Sequence, residues 1–165
     1  MLLDISSVLK GNTEKLDFER EIDVSDVDFS EFSAEFKKPV KLSGTVKNVV
    51  GVIELSAHAD CEYATLCSRC GVDIEKCLAF EFEQTYVKEQ TVEAEDALTL
   101  DGDKTIDIKD ILCKSIALFL PLKELCREDC KGICQQCGTN LNEKQCDCVE
   151  EYFNPQFEIL KGLFD

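Results

Sequence analysis

Apolar and polar positions alternate most clearly between residues 40 and 86, in three successive runs. Val40, Leu42, Gly44 and Val46 share one phase against lysines and hydroxyls, and Val49-Val50-Gly51 then offers a turn. Ile53, Leu55, Ala57, Ala59 and Cys61 follow in one phase, with Glu54, Ser56, His58 and Asp60 in the other. A period of two marks strands with one buried face, so these runs predict a β-hairpin. Beyond Cys67-Ser68-Arg69-Cys70-Gly71, the positions Val72, Ile74, Leu78, Phe80, Phe82 and Tyr86 keep one phase while Asp73, Glu75, Glu81 and Glu83 keep the other. That pattern predicts a long strand with an acidic outer face.

The flanking segments are less regular. Leu16-Phe18 and Ile22-Val24 predict a strand within residues 14–36, and Val27, Phe29, Phe32 and Phe36 continue it as an irregular or short helical segment. Residues 88–104 gather Glu93, Glu95, Asp96, Asp101 and Asp103 around an Asp101-Gly102 turn, which predicts a solvated acidic loop. Over residues 107–119 the spacing becomes helical, with Ile108, Ile111, Leu112, Ser115, Ile116 and Phe119 on one stripe, Asp107 as N-cap and Pro121 closing the segment. Asn154 and Pro155 before Phe157, Leu160, Leu163 and Phe164 predict a last short helix.

The fold class read from this pattern is α+β: a mainly antiparallel β-sheet or partly open barrel, a few short helices and a C-terminal zinc-knuckle module. Residues 1–125 form the β-rich domain in this reading. Residues 126–165 form the cysteine-rich module and C-terminal helix, docked through Cys67 and Cys70.

Length and composition narrow the class. The 165 residues suit one domain or one domain with a small module, and 44% apolar against 32% charged residues describes a globular chain. Residues 1–10 carry Asp4 and lack the basic-then-apolar pattern of a leader, and no run approaches the roughly 18 apolar residues of a membrane span. A cytoplasmic protein with reduced cysteines is expected, with no membrane partner. The formal net charge of −16 excludes a surface that coats nucleic acid by counterion release.

Eight of the 11 cysteines fall into four close pairs: Cys67/Cys70, Cys126/Cys130, Cys134/Cys137 and Cys146/Cys148. Zinc takes four thiolate or imidazole ligands, and a two-residue gap lets one tight turn aim two sulfurs at one ion. Gly71 and Gly138 stand where such turns need glycine. Two zinc ions are therefore expected, with iron as the alternative. Loop length favours Cys134, Cys137, Cys146 and Cys148 as one site and Cys67, Cys70, Cys126 and Cys130 as the other. The rival pairing joins the two knuckles Cys67/Cys70 and Cys134/Cys137 in a rubredoxin-like site, as in an electron carrier or thiol redox protein. Cys61, Cys77 and Cys113 have no close partner and are expected to behave as small buried hydrophobes. His58 is the sole histidine and lies on the polar phase of its strand, a solvated position. With no second histidine and no nucleophile–base pair, neither an enzyme nor a small-molecule substrate is expected.

Leu120-Pro121-Leu122, Cys126-Arg127-Glu128-Asp129-Cys130-Lys131-Gly132-Ile133-Cys134, Cys137-Gly138-Thr139-Asn140-Leu141-Asn142 and Cys146-Asp147-Cys148 together resemble the YceD family. Cys67-Ser68-Arg69-Cys70 is similar to the family's upstream Cys-x-Arg-Cys element, and the departures, Ile133 and Gln135, touch no expected ligand. The resemblance implies a bacterial, cytoplasmic, non-enzymatic ribosome-biogenesis factor that supports processing or accumulation of large-subunit ribosomal RNA. Its partner would be ribosomal RNA or a basic ribosomal or assembly protein. Two physical routes to a partner are open: a local cationic surface from Arg69, Arg127 and Lys131, or acidic sheet faces that meet a basic protein.

Overall fold

The three alternating runs form the centre of a five-stranded sheet in the computed structural model, which describes residues 1–11, 13–87, 97–100 and 104–148. The strands are β2 (Lys15–Ile22), β3 (Val40–Val49), β4 (Val52–Leu66), β5 (Asp73–Val87) and β6 (Leu98–Thr99), in the spatial order β2-β3-β4-β5-β6. All neighbours are antiparallel except β5 and β6. The sheet is open, with β2 and β6 at its edges. A second, two-stranded ladder joins β1 (Leu2–Asp4) to β7 (Thr105–Asp107).

The hairpin turns as expected. Val50 and Gly51 both take positive φ, 53° and 90°, the twist that matches two antiparallel strands, and Asn48 Oδ1 accepts from Gly51 N at 2.9 Å. Strands β4 and β5 are 15 residues each, longer than the alternation suggests, because the small and polar residues near their ends still pair across the ladder.

One face of the sheet is buried and the other wet. Val40, Leu42, Val46, Ile53, Leu55, Ala59, Phe80 and Phe82 line the inner face. Phe18, Gly44, Ala57 and Phe82 lie in one cross-strand row. A Cβ at Gly44 would sit 2.8 Å from the Phe18 ring and 2.6 Å from Ser56 O, so glycine lets the aromatic side chain lie across β3.

Helix α2 (Ile108–Phe119) closes this face with Ile108, Ile111, Leu112, Ser115 and Ile116 buried. The Asp107 side chain caps it, accepting from Lys109 N and Asp110 N, as the sequence predicts. Phe119 stacks on Phe80 with ring centroids 4.7 Å apart. A one-turn helix α1 (Ser6–Leu9) adds Val8 to the same core, and a 3-10 turn at Ser30–Phe32 follows β2.

Two expectations change. The solvated loop at 88–104 contains an apolar island, because Ala97 and Leu100 are buried beside β6. Four residues are too few to show a period among so many acids, and the rest of that loop lies outside the described residues except Lys104. Cys77 is exposed, since it stands on the outer phase of β5 opposite Glu62; Cys61 is buried and Cys113 half-buried. The predicted helix at Asn154–Phe164 falls outside the described residues. No helix among the described residues is long and apolar enough to cross a membrane.

Candidate metal centres

The Cys67–Cys70 knuckle is the loop of the β4–β5 hairpin. Cys67 N donates to Val72 O at 2.9 Å and Gly71 N donates to Cys67 O at 2.8 Å, a tight turn that requires the positive φ of 70° at Gly71. The second knuckle repeats this frame. Cys134 N donates to Thr139 O at 2.8 Å and Gly138 N to Cys134 O at 2.9 Å, with φ 72° at Gly138. Local sequence therefore builds the same two-sulfur cradle twice.

Tertiary structure supplies the other sulfurs. After α2, the chain is tied to the first knuckle by Ser68 N, which donates to Glu124 O at 2.8 Å, and by Glu124 N, which donates to Ser68 Oγ at 3.2 Å. The Glu124 carboxylate accepts from Tyr63 OH at 2.6 Å and faces Lys76 Nζ at 3.5 Å. Burial, followed by this carboxylate, pushes the Tyr63 hydroxyl above its ordinary pKa. With Glu124 fixed on the hairpin, Cys126 reaches the knuckle two residues later. Arg69 Nη1 then donates to Cys130 O at 2.9 Å and Glu128 O at 3.3 Å, holding the following turn in place.

The result is two four-sulfur sets: Cys67, Cys70, Cys126 and Cys130, and Cys134, Cys137, Cys146 and Cys148. Within each set all sulfurs lie within 4.8 Å of one another. Zinc–thiolate bonds of about 2.3 Å in a tetrahedron put sulfurs roughly 3.8 Å apart. Cys67 Sγ and Cys130 Sγ are 3.8 Å apart, and Cys70 Sγ and Cys126 Sγ 3.7 Å, so two opposite edges of the first set match that length. It is also well covered, with Val72, Ile74 and Leu125 packed against Cys67, Cys70 and Cys130. The second set is more open, Cys137 being exposed. Among the alternatives the sequence leaves open, the structure brings together the pairs favoured by loop length and not the two knuckles.

Each set mixes a sulfur that ionises easily with one that keeps its proton. Burial pushes the Cys67 thiol up, but the backbone amides of Cys126, Arg69 and Cys70 outweigh it and bring the pKa down to about 5. Burial and the neighbouring sulfurs of Cys130, Cys70 and Cys67 push Cys126 up to about 12. In the second set the Thr139 side chain, then its amide, holds Cys137 down at about 6, while Cys137 and burial push Cys148 up to about 12. A thiolate stabilised by amides beside protonated partners is a site that a soft divalent cation completes by displacing protons.

Asn142 is a residue that cysteine spacing does not reveal. Its Nδ2 donates to Cys130 Sγ at 3.3 Å, and its Oδ1 accepts from Arg127 Nη2 and Lys131 N, both at 2.8 Å. Only its place in the Gly138-Thr139-Asn140-Leu141-Asn142 motif marks it in the sequence. The three cations of the expected surface, Arg69, Arg127 and Lys131, are all exposed. Arg69 and Arg127 also hydrogen-bond to backbone and side-chain acceptors of the cysteine loops, and Arg127 Nε meets Asp129 Oδ1 at 3.3 Å. His58 stays on the outer face of β4, 3.3 Å from Asp60 and 3.7 Å from Glu81.

An open, mainly antiparallel sheet whose central hairpin ends in a cysteine knuckle, with a second knuckle beyond it, defines a sheet protein carrying two tetracysteine centres. The family described as "Large ribosomal RNA subunit accumulation protein YceD" matches residues 55–164, and the chain belongs to that family. An uncharacterised protein of Mycobacterium leprae is 27% identical over 115 residues, covering 65% of this chain and 51% of its own. An uncharacterised protein of Mycobacterium tuberculosis is 29% identical over 124 residues, 69% of this chain and 59% of its own. The chloroplastic YCED homolog 1 of Arabidopsis thaliana, named for large ribosomal RNA subunit accumulation, is 40% identical over 48 residues, 29% of this chain and 15% of its own. The matches thus span little more than half, or less, of these relatives' lengths. No solved structure matches the chain.

Proposed function

We propose that this protein is a non-enzymatic cytoplasmic ribosome-biogenesis factor that supports accumulation of large-subunit ribosomal RNA, with two structural zinc ions. The observation that carries the reading is the family match over residues 55–164, which covers both tetracysteine sets. The zinc reading is supported by the tetrahedral sulfur spacing of the first set and by the repeated knuckle frame. Cys67, Cys70, Cys126 and Cys130 would hold one ion, and Cys134, Cys137, Cys146 and Cys148 the other. Zinc at these positions would supply no reaction: the first ion would clasp the cysteine-rich module that begins at residue 126 onto the β-rich domain of residues 1–125, and the second would close that module on itself. A rubredoxin-like carrier would need the two knuckles at one ion, and their sulfurs lie in separate sets.

Among the two routes to a partner, a basic protein is the better supported. Arg69 and Arg127 already spend hydrogen bonds on the cysteine loops, and the formal net charge of −16 opposes binding to phosphate. The outer face of the sheet is concave around Ser43, Thr45, Ser56 and His58 and is rimmed by Asp17, Glu19, Glu81 and Glu83. Such a face repels RNA and attracts the basic segments common in proteins that themselves bind RNA. Affinity recovery from cells, with sequencing of bound RNA and identification of bound proteins, tests the assignment. Recovery of large-subunit precursors or their proteins, lost on Glu81→Lys/Glu83→Lys substitution, is expected. Recovery of neither removes the ribosomal reading.

A further inference from the structure

We infer that Asn142 couples the two cysteine centres, so that metal held by Cys134, Cys137, Cys146 and Cys148 strengthens metal binding by Cys67, Cys70, Cys126 and Cys130. The inference rests on the reading that both sets hold metal.

Asn142 lies in the loop between Cys137 and Cys146, so ligands of one centre flank it on both sides. Its side chain serves the other centre. Nδ2 donates to Cys130 Sγ at 3.3 Å, and Oδ1 accepts from the amide that follows Cys130 and the guanidinium that follows Cys126. One amide group thereby holds Cys130 directly and touches the side chain of Arg127, the neighbour of Cys126.

The loop is held in register for this task. Leu141 N donates to Gly132 O at 2.9 Å, and Ile133 and Asn140 form an antiparallel bridge. Asn140 Oδ1 accepts both from Asn142 N at 3.1 Å and from Asn142 Nδ2 at 2.8 Å, which orients the amide toward sulfur.

Four thiolates around a divalent ion leave surplus negative charge, and an N–H donor to sulfur disperses it. Without closure of the Cys137–Cys146 loop, Asn142 must be ordered at the expense of first-centre affinity. Metal in the second set closes that loop and removes the cost. Coupling of this kind is reciprocal by thermodynamic necessity.

Cobalt(II) titration of the full chain, competed with zinc, tests the coupling in four forms: wild type, Asn142→Asp, Cys146→Ser/Cys148→Ser, and the two combined. Asn142→Asp keeps an acceptor for Lys131 and Arg127 and removes the donor to sulfur. The expected result is a loss of about 10- to 100-fold in first-centre affinity for Asn142→Asp. A similar loss is expected for Cys146→Ser/Cys148→Ser, with little further loss on combination. The sulfur-to-cobalt charge-transfer band should move to lower energy in Asn142→Asp, because the thiolate loses its donor; a merely structural residue would leave it in place. Asn142→Leu, which adds no charge, should show the same non-additivity. Two-ion binding with additive losses, or an Asn142→Asp chain that titrates like wild type, overturns the coupling alone. A wild-type chain that takes up neither ion overturns the metal reading with it.

Discussion

Ser68 and Glu124 grip each other twice, the amide of Ser68 donating to Glu124 O at 2.8 Å and the amide of Glu124 donating to Ser68 Oγ at 3.2 Å. This contact joins the tip of the central hairpin to the segment that leaves α2, residues 56 positions apart in the chain. Cys126 meets Cys70 because of it. The same glutamate gives Tyr63 its acceptor, so the anchor of the first cysteine set is also a polar contact under the sheet.

Removing that acceptor should be costly. Glu124→Ala leaves the buried Tyr63 hydroxyl unpaired and frees Lys76, at an expected cost of about 2–3 kcal/mol, whereas Tyr63→Phe should cost about 1 kcal/mol. The double variant should lose less than the sum, since both act on one hydrogen bond. Urea unfolding of the zinc-loaded chain reads all three, and strict additivity would argue against the contact.

Metal uptake should release protons. Cys67 at about 5 and Cys137 at about 6 are thiolates at neutral pH, while Cys126 and Cys148, pushed up to about 12, hold their protons. Each ion should therefore displace about two to three protons near pH 7, measurable with an indicator dye in weak buffer. Protons and metal compete for the same sulfur lone pairs, so loading weakens as pH falls and strengthens as it rises. Uptake without proton release would exclude thiolate ligation.

The cap of α2 carries its own pH signature. The N-terminal ammonium first, with the Asp110 and Lys109 amides after it, holds the Asp107 carboxyl below its ordinary value of 3.8 against the opposing effect of burial. A carboxylate whose folded pKa is depressed stabilises the fold above its unfolded value, and that contribution is lost as pH falls through the folded one. Asp107→Ala should cost about 1 kcal/mol near neutrality. The gap between variant and parent should close below the ordinary carboxylate value. Loss of any bound metal in acid would affect both chains alike, so a gap that stays constant there would contradict this role.

Gly44 should tolerate no side chain. The Cβ of Gly44→Ala would lie 2.6 Å from Ser56 O and 2.9 Å from Ala57 Cβ, backbone and core positions that cannot swing aside. A loss of about 1–3 kcal/mol is expected, rising for Gly44→Val, with thermal unfolding as the readout. A variant as stable as the parent would mean that Phe18 does not cross β3 as described.

Much of the fold was legible because its signals are local. The alternation at Val40–Val46, Ile53–Cys61 and Ile74–Tyr86 follows from the pleat, and Asp107 announces α2 by its own capping chemistry. What escaped was either short or satisfied at a distance. Strands β1, β6 and β7 have three, two and three residues, too few for a period, and the exposure of Cys77 depends on strand phase more than on residue type.

The site divides in the same way. The sequence by itself determined the four cysteine pairs and the two knuckle turns, because a Cys-x-x-Cys-Gly turn closes through hydrogen bonds within a handful of residues. Tertiary structure decided which pairs meet and what surrounds them. Bringing Cys126 to Cys70 and Cys130 to Cys67 spans 56 and 63 positions, and no local pattern encodes a closure of that length. The packing of α2 on the sheet, the grip of Ser68 on Glu124 and the reach of Asn142 to Cys130 offset its entropy, and each depends on surfaces that exist only once the sheet has formed.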